Sequence, residues 1–174
     1  MTRKLHIGGK HSHPDWEIFN IQKGLNVDHV GDACDLSRFA DQTFDELYAS
    51  HILEHFDYNG ALQKALKEWH RVLKPDGKLY LSVPDMDVLC RLFTMRGITA
   101  QGRFHLIRIM FGGHVDQYDY HYAGLCSDFI SVFLAEAGFQ KVIKVKNFGI
   151  FKDASTTCVE NIPISLNVIA FKGC

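Results

Sequence analysis

The sequence predicts an α/β fold: a doubly wound, mostly parallel sheet that ends in a C-terminal antiparallel hairpin. Three observations carry this. Thr43 to Phe56 (TFDELYASHILEHF) reads as a buried strand running into a polar turn. Glu68 to Asp85 (EWHRVLKPDGKLYLSVPD) then closes a helix, crosses a Pro-Asp-Gly turn and enters a second buried strand. Strands that alternate with helices build parallel sheets. Finally, two β-like runs near the C-terminus follow one another with only a loop between them, which is the pattern of a hairpin.

The elements follow in order. Lys4 to Ile7 is a short strand entering the tight turn Gly8-Gly9. Trp16 to Ile21 is a second strand, and the roughly eight residues between the two are too few for a full crossover helix. The first crossover is therefore shortened to a single turn or lost. Asn26 to Val30 is a third strand, ending at Gly31-Asp32, and Phe44 to Ala49 a fourth. Gly60 to Leu73 places Leu62, Ala65, Leu66, Trp69 and Leu73 at helical spacing, and Pro75 forbids its extension. Leu79 to Val83 is the fifth strand. Two helical stretches follow from Asp85 to about Met110, broken near Gly97. Ser127 to Ala137 is a helix with Ser127 as its expected cap, Phe129, Ile130, Phe133 and Leu134 as its apolar positions, and Gly138 as its stop. Gln140 to Lys146 alternates apolar residues with lysines, as an edge strand does, and Ile164 to Phe171 closes the sheet. Between them, Gly149 to Pro163 is a long connection.

The bulk numbers bound the function. With 174 residues, one domain spanning 1–174 is expected. Nineteen basic and twenty acidic residues leave a net charge of −1, so no broad basic face for nucleic acid is expected. No apolar run reaches membrane-spanning length, and neither a membrane partner nor a secretion signal is expected. Five scattered cysteines without a C-x-x-C pair suggest reduced thiols and a cytoplasmic setting. The oligomeric state stays open, with Trp16 and the Phe148–Phe151 loop as the candidate interface residues.

In an open parallel sheet, ligands sit beyond the carboxyl ends of the strands, where strand order reverses. The residues just after the predicted strands are Gly8 and Gly9, Asn20, Asp32 with Ala33, and Ser50 with His51. The chain from Leu5 to Lys172 resembles the class I, Rossmann-like methyltransferases that use S-adenosylmethionine, and most closely their small bacterial type. That type reads roughly "FDEIYASHVLEHF…RVLKPGGKLYISVPD", and Arg71-Val-Leu-Lys-Pro-Asp-Gly-Lys78 is the most specific piece of the match. The resemblance implies S-adenosylmethionine as cofactor, bound by Gly8, Gly9, Asn20, Asp32, Ala33, Ser50 and His51. In it the first turn holds the methionine end, the residue after the second strand holds the ribose, and Asp-Ala after the third strand contacts adenine. It also implies an antiparallel final strand.

Two positions depart from the family's pattern. Leu5-His-Ile-Gly-Gly-Lys10 stands where the family has "LNIGCG", so Lys10 replaces a glycine. Its ammonium either opposes the donor's sulfonium or points to solvent; two unit charges ~4 Å apart at an effective dielectric of ~20 interact by about 4 kcal/mol. Asn20 stands where an aspartate is expected for the ribose hydroxyls, and either binds ribose more weakly or satisfies backbone at the strand end. On this mapping Lys10→Gly and Asn20→Asp should each strengthen cofactor binding.

His51-Ile-Leu-Glu-His55 matches the H-x-x-E-H pattern of inverted zinc peptidases. It follows a strand directly, leaves room for about two helical turns, and marks no third ligand, so no metal is expected. In the preferred reading His51 lines the cofactor pocket while Glu54 and His55 brace the turn. His11 and His13 lie in the shortened first loop and either bind a metal adventitiously or, in the preferred reading, face solvent. Gly112 to Tyr122 (GGHVDQYDYHY) either covers the pocket and faces the acceptor or is a packing segment, and no catalytic residue is assigned. The expected activity is methyl transfer to a small-molecule or glycan-like acceptor. The alternative is a non-catalytic, methyltransferase-like module that binds a ligand or partner through a degraded cofactor site.

Overall fold

A computed structural model describes residues 2–173. The first half of the chain lays down β1 (Lys4–Ile7), β2 (Glu17–Asn20), β3 (His29–Val30) and β4 (Phe44–Ser50) with no helix in the connections between them. The loss of the first crossover helix therefore extends to the next two connections as well. A single 3-10 turn (Leu53–His55) leads to α1 (Ala61–Val72) and β5 (Leu73–Pro84). Two helices, α2 (Met86–Thr94) and α3 (Ala100–Phe111), precede α4 (Ser127–Glu136) and β6 (Lys141–Val145). The long connection carries a 3-10 turn (Ala154–Thr156) and a small hairpin of β7 (Cys158–Val159) and β8 (Ile162–Pro163) before β9 (Ser165–Phe171).

Among the described residues the main sheet has seven strands in the order β3-β2-β1-β4-β5-β9-β6. The pairs from β3 through β5 are parallel, and β9 lies antiparallel between β5 and β6. Strand order reverses between β1 and β4, which marks the crevice beyond their carboxyl ends.

Side chains alternate faces along each strand, so register sorts them. Leu5, Leu47, Leu79, Ala170 and Val142 line up across five strands and meet α1 and α4. Helix α1 forms because Leu62, Ala65, Leu66, Trp69 and Val72 make one buried stripe, with His70 and Arg71 placed favourably in its last turn. It ends where Leu73 turns extended ahead of Pro75. The expected Pro-Asp-Gly turn is absorbed into β5: Leu73 already pairs with Phe44, and an irregularity near Asp76 (φ 60°) takes up the extra residues. Arg71 fastens the helix-free connection from β3 to β4. Its guanidinium donates to Leu36 O (3.0 Å), Phe39 O (3.0 Å) and Asp41 Oδ1 (2.7 Å), and is held by Glu68.

Two details of α4 differ from expectation. Cys126, not Ser127, is its cap and gives no side-chain hydrogen bond, while Phe129 is exposed and only Ile130 and Leu134 are fully buried.

The opposite face carries His6, Tyr48 and Tyr80 in register, and aromatic side chains cover it. Phe151 packs on His6 (centroids 4.2 Å), Tyr48 (4.7 Å) and Trp16 (5.6 Å), and Phe148 on Tyr48 (5.5 Å). Tyr48 donates its hydroxyl to Asp153 Oδ2 at 2.8 Å, pinning the cover to the sheet. Trp16 and Phe151 thus make intramolecular packing contacts, and Trp16 is buried.

Burial under this cover pushes the His6 imidazole down to about 4, against a weaker pull from Asp153 and with repulsion from His13 and His11. His6 is neutral in the fold and titrates near 6.5 when unfolded, so its contribution to stability is present above pH 6.5 and is lost as pH falls toward 4. The ceiling of that loss is about 3 kcal/mol. Melting curves of the wild type and His6→Phe at pH 7 and pH 5 should show the wild type losing more on acidification. A gap between the two that stays constant with pH would remove His6 from the account.

Candidate functional site at the carboxyl ends of β1 to β4

The first turn is built around Gly8. Its φ is +80°, its N–H donates to Phe19 O at 2.7 Å, and a Cβ there would overlap the Ile52 side chain. Gly8 is thus required both by backbone sign and by close approach. Lys10 is not among the described residues with positive φ, so the glycine-to-lysine departure carries no backbone strain. It also forms no ion pair among the described residues.

A cavity of about 580 Å³ opens here, lined by Gly8, Asn20, Asp32, Ala33, Ser50 and His51. Six of the seven residues singled out by sequence therefore share one wall. Gly9 is the exception: it is absent from the lining, a Cβ there would press on the His6 ring, and its carbonyl is taken by Asn20. The opposite wall is the segment Val115 to Tyr120 together with Tyr122, so the Tyr- and His-rich stretch does cover the pocket. Gln22 Nε2 reaches Asp116 Oδ2 at 3.3 Å across the opening. The lining holds three aspartates, Asp32, Asp116 and Asp119, and one lysine, Lys10, an excess of acid over base.

Sequence reasoning did not find Gln22, Ile52, Phe56 or the carboxylate Asp119. Asp119 lies inside a stretch already marked by His114, Asp116, His121 and Tyr122, and its charge was the available signal.

The supporting contacts are specific. Asp32 accepts from Cys34 N at 2.9 Å, closing its turn, and Ala33 O accepts the Trp69 indole N–H at 2.9 Å. Asn20 is buried; its amide donates to Gly9 O (2.9 Å) and Gly8 O (3.2 Å), and its oxygen accepts from Gln22 N (2.9 Å). The asparagine therefore ties the first loop to the end of β2. This revises the expected gain from Asn20→Asp, because a carboxylate would set an acceptor against two carbonyl oxygens. We expect Asn20→Asp to lower unfolding free energy by about 1–3 kcal/mol without tightening cofactor binding. Urea denaturation and ligand titration of the variant check this, and tighter binding by a fully stable variant would restore the sequence-based expectation.

His51 sits at φ 53°, a left-handed conformation uncommon outside glycine but one in which histidine is enriched. Its Nε2 lies 2.9 Å from Ser165 Oγ, which itself donates to Ala154 O, so His51 is the donor of that pair and its Nδ1 bears the lone pair. That nitrogen is 3.4 Å from Glu54 Oε1. Glu54 is fully buried and neither carboxyl oxygen has a hydrogen-bond partner. Burial pushes its carboxyl up to about 8. Burial also pushes His51 and His121 down to about 4, so the close approaches to Glu54 are not ion pairs at neutral pH.

Comparison with known proteins bears on the family and the fold. Residues 16–81 match the family described as "Methyltransferase domain". No curated protein matches the chain. Among solved structures, the YcgJ protein from Bacillus subtilis superposes with a TM-score of 0.61 at 18% identity, covering 99% of this chain and 92% of that one. A SAM-dependent methyltransferase from Archaeoglobus fulgidus gives 0.61 at 15% identity over 98% and 86%. The CurJ carbon methyltransferase gives 0.58 at 18% identity, and this chain, 99% covered, spans about half (49%) of its length. No helix among the described residues is long and apolar enough to cross a membrane. Residues 16–81 thus match a methyltransferase-domain family, and the fold of the described chain is that of class I, Rossmann-like methyltransferases.

Proposed function

We propose that the chain binds S-adenosylmethionine in the cavity beyond β1 to β4 and transfers its methyl group to a small-molecule or glycan-like acceptor. The observation that carries this is the convergence of Gly8, Asn20, Asp32, Ala33, Ser50 and His51, from the ends of four strands, on one cavity. Its volume of about 580 Å³ suits a ligand of cofactor size.

In this reading Gly8 lets the methionine end approach the backbone. The second lone pair of the Asn20 oxygen accepts one ribose hydroxyl, since Gln22 N occupies only the first. Asp32 and Ala33 hold the adenine side. The surplus of carboxylates in the lining favours a sulfonium cation and offsets Lys10. Tyr118, Tyr120 and Tyr122 are each more than a third exposed along the opposite wall, and Tyr120 and Tyr122 stack at 6.4 Å. Such amphipathic rings suit a polyhydroxylated acceptor. Methyl transfer needs in-line positioning of an already reactive donor, so the chain's contribution is orientation and exclusion of water.

Calorimetric titration of ligand-stripped protein with S-adenosylmethionine and, separately, S-adenosylhomocysteine tests the reading. Micromolar binding of the donor is the expected result. Absence of heat and of thermal shift with both compounds would overturn it.

A further inference from the structure

Beside the cavity lies a second constellation. Glu54, His55 and His121 each offer one ligand atom, and these atoms lie within 4.8 Å of one another. They come from two distant parts of the chain, brought together where Tyr122 N and Ala123 N both donate to Glu54 O (2.8 and 3.1 Å). The His55 and His121 rings meet edge to face with centroids 4.7 Å apart, and His121 Nε2 is 4.0 Å from Glu54 Oε1.

The hydrogen bonds around the cluster orient its lone pairs. Tyr120 O lies 3.0 Å from His55 Nδ1, and a carbonyl oxygen only accepts, so Nδ1 carries the proton and Nε2 is left as the donor nitrogen for a cation. A ligating histidine commonly has its other nitrogen fixed in this way by a backbone carbonyl. His51 Nδ1 is likewise a lone pair facing Glu54, because its Nε2–H goes to Ser165 Oγ. Two carboxyl oxygens and at least two imidazole lone pairs thus lie close together, Glu54 buried and His55 and His121 half-buried, and the hydrogen bonds named here bring no donor to them. The Glu54 oxygens, in a residue 1% exposed, have no protein partner at all. A buried acceptor cluster of this kind needs a cation or a shared proton within it.

We propose that Glu54, His55 and His121 form a binding site for one divalent transition-metal ion of the zinc class. Two imidazoles and one carboxylate are a set that zinc uses when it keeps a fourth position open, and imidazole ligation disfavours magnesium and calcium. Around zinc, with bonds of about 2.0–2.2 Å, tetrahedral ligand atoms sit about 3.4 Å apart, so side-chain adjustment of up to roughly 1.4 Å closes the site from its present span. His55 belongs also to the cavity wall. An oxygen ligand entering from the cavity would fill the open position and be acidified by the ion. The site departs from the peptidase pattern, because the third ligand is His121 and His51 serves as a neighbour rather than a ligand. It does not depend on methyl transfer.

The test uses the full chain, stripped with a chelator and titrated with zinc chloride against a chromophoric competitor. The expected result is one zinc per chain, with affinity reduced at least tenfold in His121→Ala and in Glu54→Gln. A His11→Ala/His13→Ala double variant, which removes the exposed loop histidines, should bind as the wild type does. Cobalt(II) should give visible d–d bands of a four- or five-coordinate site that disappear in His121→Ala. Failure of the wild type to bind one equivalent, unchanged binding in His121→Ala, or loss of binding in the loop double variant would each overturn the assignment. The wild-type and loop-variant measurements keep the test decisive should either cluster variant fail to fold.

Discussion

Replacing Trp69 with alanine should lower the unfolding free energy by about 3–5 kcal/mol, the range for truncating a large aromatic in a closed core. Trp69 is fully buried, packs near Phe56 and belongs to the buried stripe of α1. It also does a second job. Its indole N–H is the donor to Ala33 O, in the turn that carries Asp32 to the cavity. The two roles separate by substitution. Trp69→Phe keeps much of the apolar contact but leaves Ala33 O without that donor, which should cost about 1–3 kcal/mol. If Trp69 positions the turn, Trp69→Phe should also weaken donor binding, in a protein still folded at the assay temperature. Urea denaturation gives the first quantity and calorimetry the second. A loss under about 1 kcal/mol for Trp69→Ala would mean that the core closes over the gap and that this account of α1 is wrong.

Trp69 also illustrates why the fold was legible in the sequence. Its place in the helix follows from spacing alone, as do the bounds of β1, which match expectation at both ends. Local periodicity reports which face a residue takes, because burial repeats with the period of the element. The covering of the second sheet face was not legible. Trp16 and Phe151 read as interface residues, Trp16 at the start of a predicted strand and Phe151 in a loop, and only the folded path of the chain brings them onto His6 and Tyr48.

The site divides in the same way. Positions after strand ends were legible, and six of them reach one cavity. The direction of hydrogen bonds was not. Asn20 donates to Gly8 O and Gly9 O only because the helix-free loop folds back on β2, and a one-dimensional reading has no access to that path. His121 and Glu54 lie too far apart in sequence for any spacing rule to join them.

Gly8→Ala should weaken donor binding at least tenfold, and it is the substitution that bears most directly on the cavity. The backbone there has φ +80°, which costs an L-residue about 1–2 kcal/mol. The added Cβ overlaps the Ile52 side chain, so the turn must move or Ile52 must leave its place on the cavity wall. Either movement alters the surface against which the ligand would lie. Strain alone would produce a loss of stability, so a control is needed that has the strain without the overlap. Gly60 supplies it: its φ is +122°, and a Cβ there meets nothing within 4 Å. Gly60 lies at the start of α1 and is not part of the lining. Gly60→Ala should therefore destabilise the protein yet bind donor as the wild type does, whereas Gly8→Ala should lose both stability and affinity. Calorimetry of the two variants side by side, below their melting temperatures, separates the effects. Equal affinities would show that the first turn does not approach the cofactor, and the methionine end would then have to be placed against the other wall, along Val115 to Tyr120.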